Sequence, residues 1–266
     1  MKNKIIMNNI DALTTSQKLA PLGGQLNVNV FHDTLVGHTI RRVLRRFPVE
    51  NRHILTSIAH EYAAIGFTSA GGTFDRRNEG EQLRFALRCV ESGLFVLSPL
   101  RSDSSHIETP FLEEAVTMDK YLPQTTDKQA IDFMNVNFAD LTRAHKMGAI
   151  YGDRWSENTL VMPNGKIYNI DFDISISGPP AKEFEVAQVA YYTLAALRLR
   201  AQELAIPHLA KLLAMRSDLN MKYIDTFLRG HAMHFNANNK YGGLTTEVDT
   251  LVKRMYEEYE SRQRSK

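Results

Sequence analysis

YGDRWSENTLVMPNGKIYNIDFD, residues 151–173, sets two carboxylates and an amide around a short turn between two apolar runs. Asp153 leads in, Asn158 opens the first run, Pro163-Asn164-Gly165 forms the turn, and Asp171 closes the second run. Asn-Gly between apolar stretches is a strong hairpin signal. A hairpin holds its ends together, so Asp171 is expected to return beside Asn158, with Asp153 nearby. Convergent carboxylate and amide oxygens are hard donors suited to Mg2+. A second carboxylate beside them can accept a proton from a hydroxyl. Metal on the phosphates and a base on the nucleophile are the parts phosphoryl transfer requires. The plainer alternative has Asp153 and Asp171 capping turns and Asn158 bonding backbone, with no ligand.

Working outward, residues 25–47 alternate at Leu26, Val28 and Val30, break at His32-Asp33-Thr34 and resume, which predicts a β-hairpin. A helix is predicted from Pro48 to 67, with Ile54, Ile58 and Tyr62 on one face. Residues 69–75 read as a loop. Residues 76–93 read as a helix stopped by Gly93, with Leu83, Ala86, Leu87 and Val90 on its apolar face. Strands are predicted over 94–100 and 106–115, then a connector with a short helix ending at Pro123. The 127–150 segment is a long amphipathic helix with Ile131, Met134, Phe138 and Leu141 in its stripe. Helices are predicted near 181–203, 206–216, 219–235 and 244–262. The order implies an α+β fold: a leader over 1–20, a strand-containing lobe over 21–116, and a mainly helical lobe over 117–266 that carries the hairpin.

The chain has 266 residues, 43% of them hydrophobic, with a net charge of +2. That balance gives no reason to expect nucleic acid as a partner. No apolar run is long enough to span a bilayer. The lone cysteine, Cys89, lies in a helical pattern and reads as a buried apolar residue. These features point to a cytoplasmic protein, with a secreted effector as the alternative. Trp155 reads as packing, His145 and Lys146 as positive charge at a helix end, and His231 and His234 as a helical surface with no metal.

The 151–173 stretch resembles the catalytic core of the protein-kinase-like superfamily. That motif is an Asp, four residues, an Asn, then a hairpin ending in Asp-Phe-Gly. Here it reads Gly152-Asp153, Arg154-Trp155-Ser156-Glu157, Asn158, then Asp171-Phe172-Asp173. Gly152-Asp153 is similar to the RIO, Bud32, aminoglycoside-phosphotransferase and fructosamine-kinase branches, and Asp-Phe-Asp resembles lipopolysaccharide sugar kinases. The resemblance implies a bilobal fold with a reduced N-lobe sheet, and ATP and Mg2+ as cofactors. It makes Asp153 the catalytic base and Asn158 and Asp171 the metal ligands. Glu114 to Val116 would meet adenine, and Glu79 or Glu81 would be the helix glutamate. The last N-lobe strand, the hinge and the next helix correspond to FLEEAVTMDKYL, residues 111–122.

The sequence departs from that pattern in two ways. No lysine occurs between Lys18 and Lys120 to hold the phosphates from the third strand, which leaves His38, Arg41, Arg42 or Lys18 as substitutes. After Asp173 the chain runs quickly into a helix, without a long activation segment; Ser175 and Ser177 lie in this run. The implied activity is transfer of a γ-phosphate to a hydroxyl, with a protein serine or threonine favoured as acceptor. A small hydroxylated molecule or lipopolysaccharide sugar is one alternative, and a pseudokinase scaffold is another.

Overall fold

The computed structural model describes residues 22–23, 27–33, 39–45, 48–102, 106–235 and 239–265, with side chains described over 52–100, 107–235 and 239–265. The first lobe is an antiparallel sheet with strand order β1-β2-β3-β6-β5. Its strands are β1 Leu22–Gly23, β2 Asn27–Asp33, β3 Thr39–Arg45, β5 Arg101–Ser102 and β6 His106–Pro110. The expected hairpin is present, with Asn27 opposite Arg45 and Asp33 opposite Thr39.

Helix α1, Pro48–Ile65, starts at the predicted proline. Helix α2, Glu79–Glu91, begins with a capping box in which Asn78 Oδ1 accepts from Glu81 N at 3.0 Å and Glu81 Oε2 accepts from Asn78 N at 2.7 Å. Two expectations here are corrected. Residues 94–100 form no strand; Val96 makes only an isolated parallel bridge to Asn169. The run is apolar because Leu94, Val96 and Leu97 are buried, not because it joins a sheet. Conversely, β4, Thr73–Arg76, falls at the end of a stretch read as loop. Its partner is β10, Ile174–Ser177, about a hundred positions away in the chain, so no local pattern marks it.

The second lobe contains a small sheet of β7 Val116–Thr117, β8 Thr159–Val161 and β9 Ile167–Asn169, in that order. Its described helices are α3 Met118–Tyr121, α4 Asp127–Lys146, α5 Ala181–Ala196, α6 Ile206–Ala214, α7 Met221–His234 and α8 Thr245–Arg264. Every residue of α5 except Lys182 and Ala196 is buried, which makes it the central axis of the lobe. None of the described helices is long and apolar enough to cross a membrane.

The segment 48–76 lies early in the chain but packs on the helical lobe. Gly230 of α7 lets α1 approach closely: a Cβ there would sit 2.2 Å from the Ile65 carbonyl oxygen. Tyr62 and Phe67 meet Phe184 at ring distances of 4.9 and 4.3 Å. Together with the β4–β10 pairing, this aromatic cluster ties the first half of the chain to α5 and the strand before it.

Candidate active site

The loop from Ala149 to Asn158 follows α4 and precedes β8. Gly152 has φ +106, and a Cβ there would lie 1.9 Å from the Ile174 carbonyl oxygen, so only glycine fits. Glu185 of α5 holds this residue: its Oε1 accepts from Gly152 N at 3.0 Å. Its Oε2 lies 2.6 Å from His145 Nε2, and Arg216 Nη2 lies 3.0 Å from His145 Nδ1. Arg216 can only donate, so Nδ1 accepts and Nε2–H donates to Glu185. His145 is therefore a buried link in a chain that positions the loop, not the free helix-end charge expected from sequence.

Gln188, one turn further along α5, spans the next two residues. Its Oε1 accepts from Arg154 N at 3.3 Å, and its Nε2 donates to Asp153 Oδ1 at 3.3 Å. Arg154 is buried and donates through Nη2 to Asn169 Oδ1 at 2.5 Å and Thr159 Oγ1 at 2.6 Å, which joins the loop to both hairpin strands. Asp140 of α4 completes the frame by accepting from Tyr151 OH at 2.7 Å and Phe95 N at 3.0 Å.

Arg77, between β4 and α2, clamps the loop to the end of the hairpin. Its Nη1 donates to the carbonyls of Tyr151 at 3.2 Å, Phe172 at 2.9 Å and Ile174 at 3.0 Å, and its Nη2 donates to Ile150 at 3.1 Å. The guanidinium also lies 4.2 Å from the Phe85 ring centroid.

The hairpin closes with Thr159 opposite Asn169, and Ile170 N donates to Asn158 O at 3.0 Å. Asn158 thus meets the residue beside Asp171. Asp153, Asn158 and Asp171 line one cavity, together with Trp155, Glu157, Asp173 and Lys240. Asn158 Nδ2 donates to the Asp153 carbonyl at 3.0 Å, which leaves its Oδ1 for a cation. Asp171 is the one non-glycine residue with positive φ among those described, at 60. Trp155 also packs as expected, stacked on Tyr192 at 5.4 Å.

Burial and neighbouring charge raise two of these carboxylates. Burial holds Asp153 well above the usual carboxylate range, and the nearby charges of Glu61 and Asp171 push it further. Asp173 is raised by burial and then by Asp171 and Asp153. Among the described residues, no group of three or more His, Cys, Asp or Glu side chains forms a metal cage. Mg2+ does not require one, since it keeps waters and phosphate oxygens and binds through one or two carboxylates. Mutually repelling carboxylates beside an oriented amide oxygen are a donor set that fits this ion.

Glu61 of α1 is a further acid near this cluster. Burial pushes its carboxyl up to about 7, and its Oε1 is buried without a hydrogen-bond partner. An acid whose folded pKa is raised holds its proton in the fold while the unfolded chain has released it, so stability falls as pH rises from about 4.5 to about 7. Glu61→Gln is expected to flatten that fall. Denaturant unfolding of both proteins at pH 5 and pH 7.5 checks it: equal losses in the two would show that Glu61 keeps its ordinary pKa.

The other residues singled out from sequence fall elsewhere. Glu114 is exposed in a turn, and Val116 pairs with Val161 at the junction of the lobes. Glu79 is buried at the start of α2, whereas Glu81 is exposed and engaged in the capping box. Arg41 stands opposite Thr109 in the sheet, while its side chain, like His38, Lys18 and the Arg42 side chain, lies outside the described residues. Thr109 lines a second, mostly apolar cavity with Gln82, Leu97, Ile107 and Asp171. Cys89 is buried, and burial pushes its thiol up to about 11, as befits an unreactive core residue. His231 is not a surface residue: it is buried, donates from Nδ1 to Phe227 O at 2.6 Å, and burial lowers it to about 4.

Sequence reading missed Arg77, Asp140, Asn169, Glu185, Gln188 and Lys240. Glu185 and Gln188 had a legible signal, being polar residues one turn apart in FEVAQVAYY, residues 184–192, which is otherwise apolar or aromatic.

No protein-family model and no curated protein matches the chain. Among solved structures, it is similar to the Rio2 kinase–ADP/Mg2+–phosphoaspartate complex from Chaetomium thermophilum, with a TM-score of 0.51 and 13% identity over 99% of this chain and 75% of that one. The fold is protein-kinase-like. It is α+β and bilobal, with the five-stranded sheet as the N-lobe and the helices from α3 onward as the C-lobe. Asp153, Asn158 and Asp171 line one cavity of this fold.

Proposed function

We propose that this protein is an ATP- and Mg2+-dependent phosphotransferase that moves the γ-phosphoryl group to a hydroxyl. The observation that carries this reading is the convergence of Asp153, Asn158 and Asp171 in one cavity of a kinase-like fold. Asp171 and the free Oδ1 of Asn158 would hold Mg2+, which when bound supplies charge neutralisation on the phosphates. Asp153 would orient the acceptor hydroxyl and take its proton. Its raised pKa makes it a better base than an exposed aspartate. Gln188 keeps its carboxylate turned toward the cleft, and Glu185 and Arg77 hold the backbone on either side. A protein serine or threonine is the acceptor this reading favours: Ile174–Pro180 leads straight into α5, with no inserted helix to wall off a small ligand.

The test is thermal stability of the purified protein with ATP, with and without Mg2+, beside Asp171→Ala. A ligand at a hundredfold excess over its Kd adds about 2.7 kcal/mol of stability. The wild type should gain this only with Mg2+ present, and the variant should not. No shift under any condition would support the pseudokinase reading instead.

A further inference from the structure

The cavity that holds Asp153, Asn158 and Asp171 has one cationic side chain among its described lining residues, Lys240, against the carboxylates of Asp153, Glu157, Asp171 and Asp173. Lys240 belongs to the loop between α7 and α8, far along the chain from the others. That loop is fixed from several sides. Arg198 Nη2 donates to the carbonyls of Lys240 at 2.9 Å and Gly242 at 3.0 Å. Tyr191 OH donates to Tyr241 O at 2.5 Å, and the hydroxyls of Tyr241 and Ser156 share a hydrogen bond of 2.8 Å. The stem of Lys240 is therefore placed by backbone and aromatic anchors, not by its own ammonium.

The ammonium itself rests at the rim. Its Nζ is 2.5 Å from Glu157 Oε1 and 3.3 Å from Asp119 Oδ2, with the side chain 53% exposed. Exposed ion pairs of this kind are worth about 0–1 kcal/mol, so leaving Glu157 for a more highly charged partner costs little. A triphosphate entering a cavity lined by carboxylates needs cations around it. Mg2+ at Asn158 and Asp171 is one such cation, and Lys240 is the one the described lining itself provides.

We propose that Lys240 is a further catalytic residue of this site: when Mg–ATP binds, its ammonium leaves Glu157 and hydrogen-bonds the γ-phosphoryl oxygens. The inference rests on the phosphotransferase reading above. It assigns Lys240 to the terminal phosphate because Lys240 shares a cavity with Asp153 and pairs with Glu157 of the catalytic loop. The cavity under the N-lobe sheet, lined by Gln82 and Thr109, does not include it.

Calorimetric titration with Mg–ATP and Mg–ADP separates the outcomes. Lys240→Met is expected to weaken ATP binding about tenfold or more, the worth of one charge-assisted hydrogen bond, and to leave ADP binding within about twofold. Lys240→Arg should restore most of the difference. Glu157→Gln, which frees the ammonium from its resting partner, should raise the preference for ATP over ADP. Equal loss of both nucleotides, or loss of neither, in Lys240→Met would overturn the proposal while leaving the phosphotransferase reading intact. A drop in ATP preference in Glu157→Gln would overturn it as well. A wild type that binds neither nucleotide with Mg2+ would bring down the phosphotransferase reading and this proposal with it.

Discussion

Replacing Arg77 by methionine is expected to destabilise the protein by about 3 kcal/mol or more, because one half-buried guanidinium satisfies several backbone carbonyls at once. For a chain of this size that corresponds to a fall in melting temperature of roughly 6–12 °C. Four carbonyls lose their donor: Ile150 and Tyr151 from the loop that carries Asp153, Phe172 and Ile174 from the segment around Asp171. Methionine keeps much of the apolar contact with Phe85 but donates nothing. The loss should also reach the site, since the clamp is what sets Asp153 and Asp171 in register. Mg–ATP binding should weaken even at temperatures where the variant remains folded. Differential scanning calorimetry and a nucleotide titration on the same sample check both parts. A variant that melts within a degree or two of the wild type would show that water replaces the guanidinium without cost, and that the clamp is dispensable.

Asp153→Asn is expected to separate stability from chemistry. ADP formation from Mg–ATP, with water as acceptor, should fall by about 10²- to 10⁴-fold, the range for loss of a general base. Binding of Mg–ATP should stay within a few-fold of wild type, unlike in Asp171→Ala. The melting temperature should hold or rise, because the wild-type carboxylate is buried and repelled by Glu61 and Asp171. The gain should grow with pH: the fold resists ionising Asp153 and the unfolded chain does not, so the wild type loses more stability than the amide variant as pH rises. Melting below the wild type at pH 8 would mean that Asp153 is a structural group, and its role as the base would have to be given to another residue.

Much of this cleft was readable in residues 151–173 because the information there is local. Asn164-Gly165 specifies a turn, the flanking apolar runs specify paired strands, and pairing brings Asn158 to Ile170. The same locality made α2 and α4 legible, since Leu83, Ala86, Leu87 and Val90 in one and Ile131, Met134, Phe138 and Leu141 in the other recur at helical spacing. The reading of 94–100 as a strand failed for a related reason. Periodicity reports burial, and buried apolar residues can pack beneath a hairpin as well as join a sheet. Of the two glutamates singled out in α2, Glu81 serves the helix cap and Glu79 is buried at the helix start.

The sequence alone therefore determined the α+β order, the hairpin, and the convergence of two carboxylates and an amide, the proposed base and metal donors, around it. The tertiary structure decided what holds and charges that site. Arg77 reaches the loop from 73 or more residues away, Lys240 comes in at a separation of 83 from Glu157, and β4 finds β10 only in space. Contacts of that range depend on the path of the backbone between them, which no turn or periodic pattern encodes. Where the partner lay within a few residues, the chemistry could be read along the chain; where it arrived across the fold, it could be read only in three dimensions.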